Sequence, residues 1–190
     1  MIIEFIGLPR AGKTEQTERL SRFFESRKKK VRIITDREIE REIKFKPEDS
    51  FNYNLDFFRI IDMKIRKAKE EIIILDRGFI DGLAWTYNEF ELKNLNKSEF
   101  DELYDYLSSS IEQIDYGIFI KISKKSLIQR HKKKGEKGKS DKYVLEERYL
   151  NGLIKSYEKL ENELENSKKV LVVDGELAPE EIENKIKKLF

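Results

Sequence analysis

The sequence lacks several residue types, and each absence narrows the chemistry open to the protein. It has no cysteine, so it holds neither a disulfide nor a thiolate-ligated zinc site. A single histidine, His131, excludes a cluster of imidazole ligands. No apolar run approaches the roughly 18 residues of a membrane-spanning helix. The net charge is also small, because the 39 Lys and Arg residues are nearly balanced by 37 Asp and Glu residues. This balance argues against a general nucleic-acid-binding protein.

The first residues and the length of the chain indicate where the protein is located and how many domains it has. Residues 1–4, Met-Ile-Ile-Glu, have no basic stretch of the kind that opens a signal peptide, so we expect a cytoplasmic protein with no membrane partner. A length of 190 residues suits one domain with a sizeable core. We therefore predict a single domain over residues 1–190.

A complete phosphate-binding pattern follows the first apolar run. Residues 7–14 read G-x-x-x-x-G-K-T, between a strand-like run over residues 1–6 and a helical pattern over residues 13–27. The motif needs this strand–turn–helix setting because backbone N–H groups and a helix N-terminus must point at phosphate. Lys13 would then reach the β- and γ-phosphates, and the Thr14 hydroxyl would ligate Mg²⁺. The pattern predicts nucleoside-triphosphate chemistry at Gly7, Leu8, Pro9, Arg10, Ala11, Gly12, Lys13 and Thr14.

Strand-like and helix-like segments alternate along the rest of the chain. An unbroken apolar run such as Ile72 to Leu75 is typical of parallel strands that are buried on both faces. The longer segments between such runs show helical periodicity. The alternation predicts a doubly wound α/β domain with right-handed crossovers. The predicted strands are residues 2–6, 31–35, 72–75, 117–122 and 170–173.

Asp76 and Arg77 directly follow the third predicted strand. Ligands of α/β sheets bind outside the carboxyl ends of the strands, so an Asp there can hold Mg²⁺ opposite Thr14. Arg77 can then bind phosphate oxygens bidentately. The alternative is an Asp that caps the next helix, with Arg77 as its surface partner. The phosphate-binding loop favours the functional interpretation.

Together with a basic segment from Arg130 and a Val-Asp-Gly strand end, these motifs resemble the thymidylate kinase and deoxynucleoside kinase family. The best-matched pieces are GLPRAGKT, LDFFRIIDMKIRKAKEEIIILDRG and VLVVDGELAPEEIENKIKKLF. The resemblance implies a three-layer P-loop kinase fold with a five-stranded parallel sheet. It also implies ATP as donor, a nucleoside or nucleoside monophosphate as acceptor, and a homodimer formed through outer helices.

The family resemblance also implies two features around the donor. The first is a mobile basic lid over approximately residues 130–142, in which Arg130 stabilises the phosphoryl group in flight. A solvated charge run at a helix C-terminus is the alternative. The second is a loop holding the adenine ring, with Asp174, Gly175 and Ala178 contributing backbone; a simple Asp-Gly turn is the alternative.

For the acceptor, the resemblance implies an aromatic residue and an Arg on one helix, and Phe58 with Arg59 match, although core packing is an alternative for Phe58. Arg77 would also contact the acceptor. Asp36 ends the second predicted strand, where nucleoside and polynucleotide kinases have a carboxylate that takes the proton from a hydroxyl acceptor. Kinases of monophosphates need no such base. The alternative is that Asp36 only decorates a helix start within a capping box over residues 35–38.

The acceptor class therefore stays open at this point. The family usually has an aromatic residue or Ser after Asp-Arg, whereas this chain has Gly78. We expect ATP-dependent phosphoryl transfer to a nucleoside monophosphate or nucleoside, with Lys13, Arg77, Arg130 and Asp36 as catalytic residues. A 5′-hydroxyl nucleic-acid end or another small hydroxyl acceptor is the alternative. A GTP-dependent switch is disfavoured, because residues 96–99, Asn-Lys-Ser-Glu, have Glu where the guanine-reading motif has Asp and follow no buried strand.

Overall fold

A computed structural model of the protein describes residues 1–134, 146–164, 167 and 169–190. Residues 135–142 of the predicted lid lie outside this described part. The described strands are β1 (Ile2–Ile6), β2 (Val31–Thr35), β3 (Ile72–Asp76), β4 (Tyr116–Lys121) and β5 (Val170–Asp174). The described helices are α1 (Lys13–Ser26), α2 (Asp36–Glu40), α3 (Ser50–Lys67), α4 (Phe79–Glu91), α5 (Lys97–Ile111), α6 (Lys124–Lys134), α7 (Glu147–Leu164) and α8 (Pro179–Lys187).

The five strands form one parallel sheet in the order β2-β3-β1-β4-β5. The predicted α/β fold with a five-stranded parallel sheet is therefore confirmed. β1 lies in the centre, between β3 and β4, because the chain builds one half of the sheet before it crosses to the other. The loop that follows β1 thus emerges at the point where the strand order reverses, which is where α/β sheets bind ligands.

The central strands are apolar because helices cover both faces of the sheet. Every residue of β3 is buried, as are Ile3, Phe5 and Ile6 of β1. Helix α1 packs against β1, β2, β3 and α8, while α4 packs against β1, α5 and α7. Full burial of one such aliphatic side chain stabilises the fold by about 1.5–3 kcal/mol. This layered core fixes the carboxyl ends of β1, β2 and β3 next to one another.

Residues 96–99, which partly match a guanine-reading motif, form the start of α5. Asn96 is the N-cap of α5: its side chain accepts from the Glu99 backbone N–H at 3.1 Å, and the Glu99 carboxylate accepts from the Asn96 N–H at 2.8 Å. This reciprocal pair is a capping box. Residues 96–99 therefore start a helix. None of the helices in the described residues combines the length and hydrophobicity that crossing a bilayer requires.

Candidate active site

The loop between β1 and α1 turns on two glycines. Gly7 and Gly12 have φ angles of 139° and 102°, in the left-handed region that favours glycine. A Cβ at Gly7 would also lie 2.3 Å from the Ile120 carbonyl oxygen. The chain therefore needs glycine at Gly7 for space as well as for conformation. The resulting turn brings the loop backbone around the first residue of α1, Lys13.

Lys13 is held inside this loop. Its side chain is 5% exposed, and Nζ donates to the carbonyl oxygens of Gly7 and, at 3.1 Å, Leu8. Burial lowers the pKa of Lys13 to about 8, and the nearby Arg77 guanidinium acts in the same direction. The ammonium has lost water without gaining a directly bonded carboxylate. A polyphosphate in the loop would supply the missing negative charge.

Thr14 and Asp76 meet beside the loop although 62 positions separate them in the sequence. The Thr14 hydroxyl donates to Asp76 Oδ2 at 2.5 Å, and the Asp76 side chain is buried at the end of β3. Burial raises the pKa of Asp76, while Lys13 and the Thr14 hydrogen bond oppose that shift. Hydroxyl and carboxylate oxygens are the ligands that Mg²⁺ prefers, and such sites keep several waters and substrate phosphates. The two side chains fit the predicted metal.

Arg77 lies between two carboxylates. Its Nε is 3.6 Å from Asp36 Oδ2 and 3.9 Å from Asp81 Oδ2, and its guanidinium carbon lies 4.8 Å from the centre of the Trp85 ring. The backbone of Arg77 has a φ of 76°, a left-handed conformation that costs a non-glycine residue on the order of 1–3 kcal/mol. The contacts with Asp36, Asp81 and Trp85 hold the guanidinium in place although the Arg77 backbone has an unfavourable conformation. The guanidinium also interacts electrostatically with Lys13 and Asp76.

The start of α2 shows what each oxygen of Asp36 contacts. Thr35 is the N-cap, with its hydroxyl accepting from the Glu38 N–H at 3.3 Å. The Glu38 carboxylate binds Arg32 and Lys64. Asp36 Oδ1 accepts from the Arg37 N–H at 2.7 Å, and Oδ2 faces Arg77. One oxygen of Asp36 thus bonds to the first turn of α2, and the other faces the site.

A cleft opens where Asp36 and Arg77 meet. Its empty space is about 480 Å³, a figure that includes the part open to solvent. Its aromatic rings come from α3 and α4, and its carboxyl groups come from α2 and α4. The lining residues are Asp36, Glu40, Tyr53, Asn54, Phe57, Phe58, Arg77, Gly78, Asp81, Gly82 and Trp85.

Three of the four predicted acceptor residues, Asp36, Phe58 and Arg77, line this cleft, and Arg59 does not. Phe58 is also a core residue, buried against Phe57 and Phe79. Arg59 is exposed on α3 and contributes to the charge around Tyr106 of α5. Arg59 follows Phe58 by one residue, a rotation of about 100° around α3. Arg59 thus lies outside the cleft lining, and its contact with the acceptor stays a prediction.

Asp81 is a site residue that the sequence interpretation missed. Its side chain is 1% exposed, and Oδ1 accepts from the Gly7 N–H at 2.9 Å and from the Tyr157 hydroxyl at 2.7 Å. Oδ2 accepts from Trp85 Nε1 at 3.2 Å. One carboxylate thus connects the phosphate-binding loop to α4 and α7. A lone acid inside the apolar stretch from Phe79 to Ala84 is the signal that could have identified it.

Glu40 and Tyr53 were missed as well. Glu40 stands at the exposed rim of the cleft, where partial burial and the Asp36 carboxylate raise its pKa. Burial, with further contributions from Glu40 and Asp36, raises the pKa of Tyr53 to about 12. Glu40 belongs to the charged run over residues 36–42, which in sequence is indistinguishable from a solvated helix face.

Arg130 connects the phosphate-binding loop to the loop after β5. Its Nη1 donates to the carbonyl oxygens of Arg10 and Ala11 at 3.3 Å, and Nη2 donates to Gly175 O at 2.6 Å. Glu176 lies 3.8 Å from Nη2. The guanidinium is therefore positioned at the donor end of the loop, bonded to backbone carbonyls. A role in stabilising the transferred group stays a prediction.

The loop after β5 contains an Asp-Gly turn, which the sequence predicts as the alternative to an adenine-holding loop. Asp174 Oδ1 accepts from the Glu176 N–H at 2.9 Å, which closes an Asp-Gly turn. A Cβ at Gly175 would lie 2.7 Å from side-chain atoms of β4 and of the residue after it. Ala178 precedes α8 as its N-cap. Contact of Asp174, Gly175 and Ala178 with adenine stays a prediction.

Comparison with known proteins gives one matching family model and several solved structures with a similar fold. A family model described as Deoxynucleoside kinase matches residues 10–190. No curated protein gives a significant match. The chain is similar to solved structures of a deoxyadenosine kinase from M. mycoides, and it is covered over its full length in each comparison.

Three of these structures differ in what is bound. The structure with the products dCMP and a flexible dCDP has a TM-score of 0.73 at 21% identity, with 97% of that chain covered. The structure with dCTP has a TM-score of 0.75 at 21% identity, and the one with dATP has 0.74 at 22%, each with 98% of that chain covered. At these identities the likeness supports the fold.

Proposed function

Because the chain belongs to the deoxynucleoside kinase family, we propose that it transfers the γ-phosphoryl group of ATP to the 5′-hydroxyl of a deoxynucleoside. The family supports a nucleoside or nucleotide kinase with ATP as donor. The charge of the cleft is the observation that supports a deoxynucleoside as the acceptor. Three carboxyl groups, Asp36, Glu40 and Asp81, line it against the single guanidinium of Arg77.

This charge balance disfavours a monophosphate acceptor of the thymidylate kinase type. A phosphomonoester carries a charge of about −1.5 to −2 at pH 7. Two like charges ~6 Å apart repel by about 3 kcal/mol at an effective dielectric constant of 20. Arg77 offers little compensation, because Asp36 and Asp81 already face it. A deoxynucleoside carries no such charge.

Asp36 is the proposed general base for the acceptor hydroxyl. A hydroxyl acceptor must lose its proton during transfer, and a carboxylate within reach supports this step by general base catalysis. Asp36 lines the cleft, and its Oδ2 faces Arg77 at 3.6 Å. Arg77 lies beside it and would stabilise the negative charge that develops on the transferred group.

At the donor end, the loop over residues 7–14 and the Lys13 ammonium bind the phosphates of ATP. Thr14 and Asp76 would hold a Mg²⁺ ion, which when bound neutralises charge on the phosphate oxygens. Arg130 and the loop from Asp174 to Ala178 lie beside this end, where the adenine is expected. The homodimer that the family resemblance implies stays part of the proposal and is tested by light scattering.

Matched acceptors test the proposed function. The protein is incubated with γ-labelled ATP and Mg²⁺ in the presence of deoxyadenosine or dAMP, deoxycytidine or dCMP, and a 5′-hydroxyl oligonucleotide. The M. mycoides enzyme suggests these bases first. We expect kcat/KM for the nucleosides to exceed that for the monophosphates by about 100-fold, the factor that corresponds to roughly 3 kcal/mol. Preference for a monophosphate would contradict the proposed acceptor, and labelling of none would contradict a kinase.

A pair of variants isolates the charge argument. Glu40→Gln removes a carboxylate at the rim of the cleft and should reduce the discrimination against monophosphates. Glu42→Gln is the matched control, because Glu42 is exposed, lies outside the cleft and pairs with Lys64. It should leave the discrimination unchanged.

A further inference from the structure

Helix α4 begins beside the active site without a side-chain cap of its own. Its N-cap residue is Gly78, which has no side chain to accept a hydrogen bond. The Glu4 carboxylate of β1 accepts instead, from the Ile80 N–H at 3.0 Å and from the Asp81 N–H at 2.7 Å. These are the second and third residues of α4, whose N–H groups an N-cap Ser, Thr, Asp or Asn ordinarily satisfies.

The Glu4 carboxyl group fills the space that a side chain at residue 78 would occupy. A Cβ at Gly78 would lie 2.8 Å from both Cδ and Oε2 of Glu4, and 2.7 Å from Leu75 Cδ1. The φ angle of Gly78 is −157°, outside the left-handed region, so that angle does not require glycine. The space does require it, because the Glu4 carboxylate is where the side chain of residue 78 would otherwise point.

The capped segment has an active-site residue on each side. Arg77 immediately precedes Gly78 in its left-handed conformation, and Asp81 provides one of the two capped N–H groups. Any rotation of the first turn of α4 would move the Arg77 guanidinium away from Asp36 and the Asp81 carboxylate away from the Gly7 N–H. The carboxyl group is completely buried, and its oxygens lie at the N-terminal end of α4, where unpaired N–H groups need acceptors.

We infer that Glu4 is a positioning residue: it replaces the N-cap side chain of α4 and thereby fixes Arg77 and Asp81. On this inference, Gly78 departs from the usual aromatic residue or Ser because of the cap, and its identity carries no information about the acceptor. The effect on turnover rests on the proposed function. The exchange of one cap for another does not, and is tested by stability alone.

The test is a cycle of Glu4→Ala, Gly78→Ser and the double variant, measured by thermal unfolding and by turnover. Glu4→Ala leaves two N–H groups without an acceptor and should lower kcat at least tenfold, with a smaller change in KM for ATP. Gly78→Ser alone should be damaging, because its Cβ overlaps Glu4. In the double variant the overlap with Glu4 is gone, and only the end of the Leu75 side chain has to shift to admit the new Cβ. The Ser hydroxyl can then accept from the Asp81 N–H. We expect it to recover melting temperature and kcat above either single variant.

Glu4→Ala combined with Gly82→Ser is the matched control. A Cβ at Gly82 would meet the Phe58 ring at 2.5 Å and does not approach Glu4, so the two losses should add without recovery. If Glu4→Ala with Gly78→Ser also shows simple addition in melting temperature, the cap assignment is wrong. If melting temperature recovers and kcat does not, Glu4 caps the helix without positioning Arg77. If no acceptor is phosphorylated by the parent protein, the proposed function fails, and the melting temperatures still decide the cap.

Discussion

Asp81 gives the most quantitative prediction, because one buried carboxylate accepts hydrogen bonds from three parts of the chain. Asp81→Asn keeps its shape but leaves one acceptor oxygen. If that oxygen stays with the Gly7 N–H and the Tyr157 hydroxyl, the new NH₂ group meets Trp85 Nε1, another donor. A hydrogen bond to a charged group contributes about 1.5–3 kcal/mol, and an unsatisfied buried donor costs about 1–3 kcal/mol.

We therefore expect Asp81→Asn to lower the free energy of unfolding by about 3 kcal/mol, since these two effects overlap. For a chain of this length that corresponds to a fall of roughly 6–12 °C in Tm. Denaturant titration gives the free energy of unfolding, and a thermal melt gives the shift in Tm. ATP affinity should also fall, because the Gly7 N–H belongs to the phosphate-binding loop.

Tyr157→Phe provides the partner for a double-mutant cycle. It removes the hydroxyl that donates to Asp81 at 2.7 Å and accepts from Trp85 at 3.1 Å, and should cost about 1–1.5 kcal/mol. Residues in one hydrogen-bond network couple by about 0.5–3 kcal/mol. The reasoning is refuted if Asp81→Asn is within about 0.5 kcal/mol of the parent, or if the two substitutions are additive.

Two further predictions follow from buried charges. Lys13→Ala should reduce kcat/KM by more than about 100-fold while the thermal melt shows an intact fold, because the ammonium acts on phosphate charge and is desolvated in the free protein; turnover within about tenfold of the parent would contradict that role. Burial raises the pKa of Glu4 from 4.5 to about 8, so between these values the folded state retains a proton that the unfolded chain releases. Stability should therefore fall as pH rises from about 5 to 8, by at most about 5 kcal/mol, and Glu4→Gln should flatten that dependence in urea titrations; an unchanged slope would contradict the shift.

The sequence predicts the parts of the site that local signals and topology determine. The loop over residues 7–14 is identified by its motif and by the strand and helix around it. The pairing of Thr14 with Asp76 follows from a general rule, since the carboxyl ends of neighbouring parallel strands meet at one edge. Asp36 was predicted from the family resemblance, with a helix-start role as the alternative, and the structure adds that Thr35 is the N-cap of α2.

The remaining contacts depend on packing that no local pattern encodes. The bond from Asp81 to Gly7 requires the exact rotation of α4 on the sheet, and the contact of Glu4 with α4 requires the register of β1. Arg59 illustrates the same difficulty, because a rotation of one residue along α3 separates the cleft-lining Phe58 from an exposed side chain. Glu40 lies in a charged run whose orientation only the packed structure defines.

The most direct test of the proposed acceptor chemistry is the turnover of Asp36→Asn with the best deoxynucleoside, measured beside its affinity for ATP. The asparagine keeps the size of the side chain and removes its ability to take a proton from the acceptor hydroxyl. General base catalysis is worth about 10²–10⁴ in rate, so we predict a fall in kcat of at least about 100-fold with ATP affinity nearly unchanged. A kcat within about threefold of the parent would contradict the assignment of Asp36 as the base and, with it, the account of a kinase acting on a nucleoside hydroxyl.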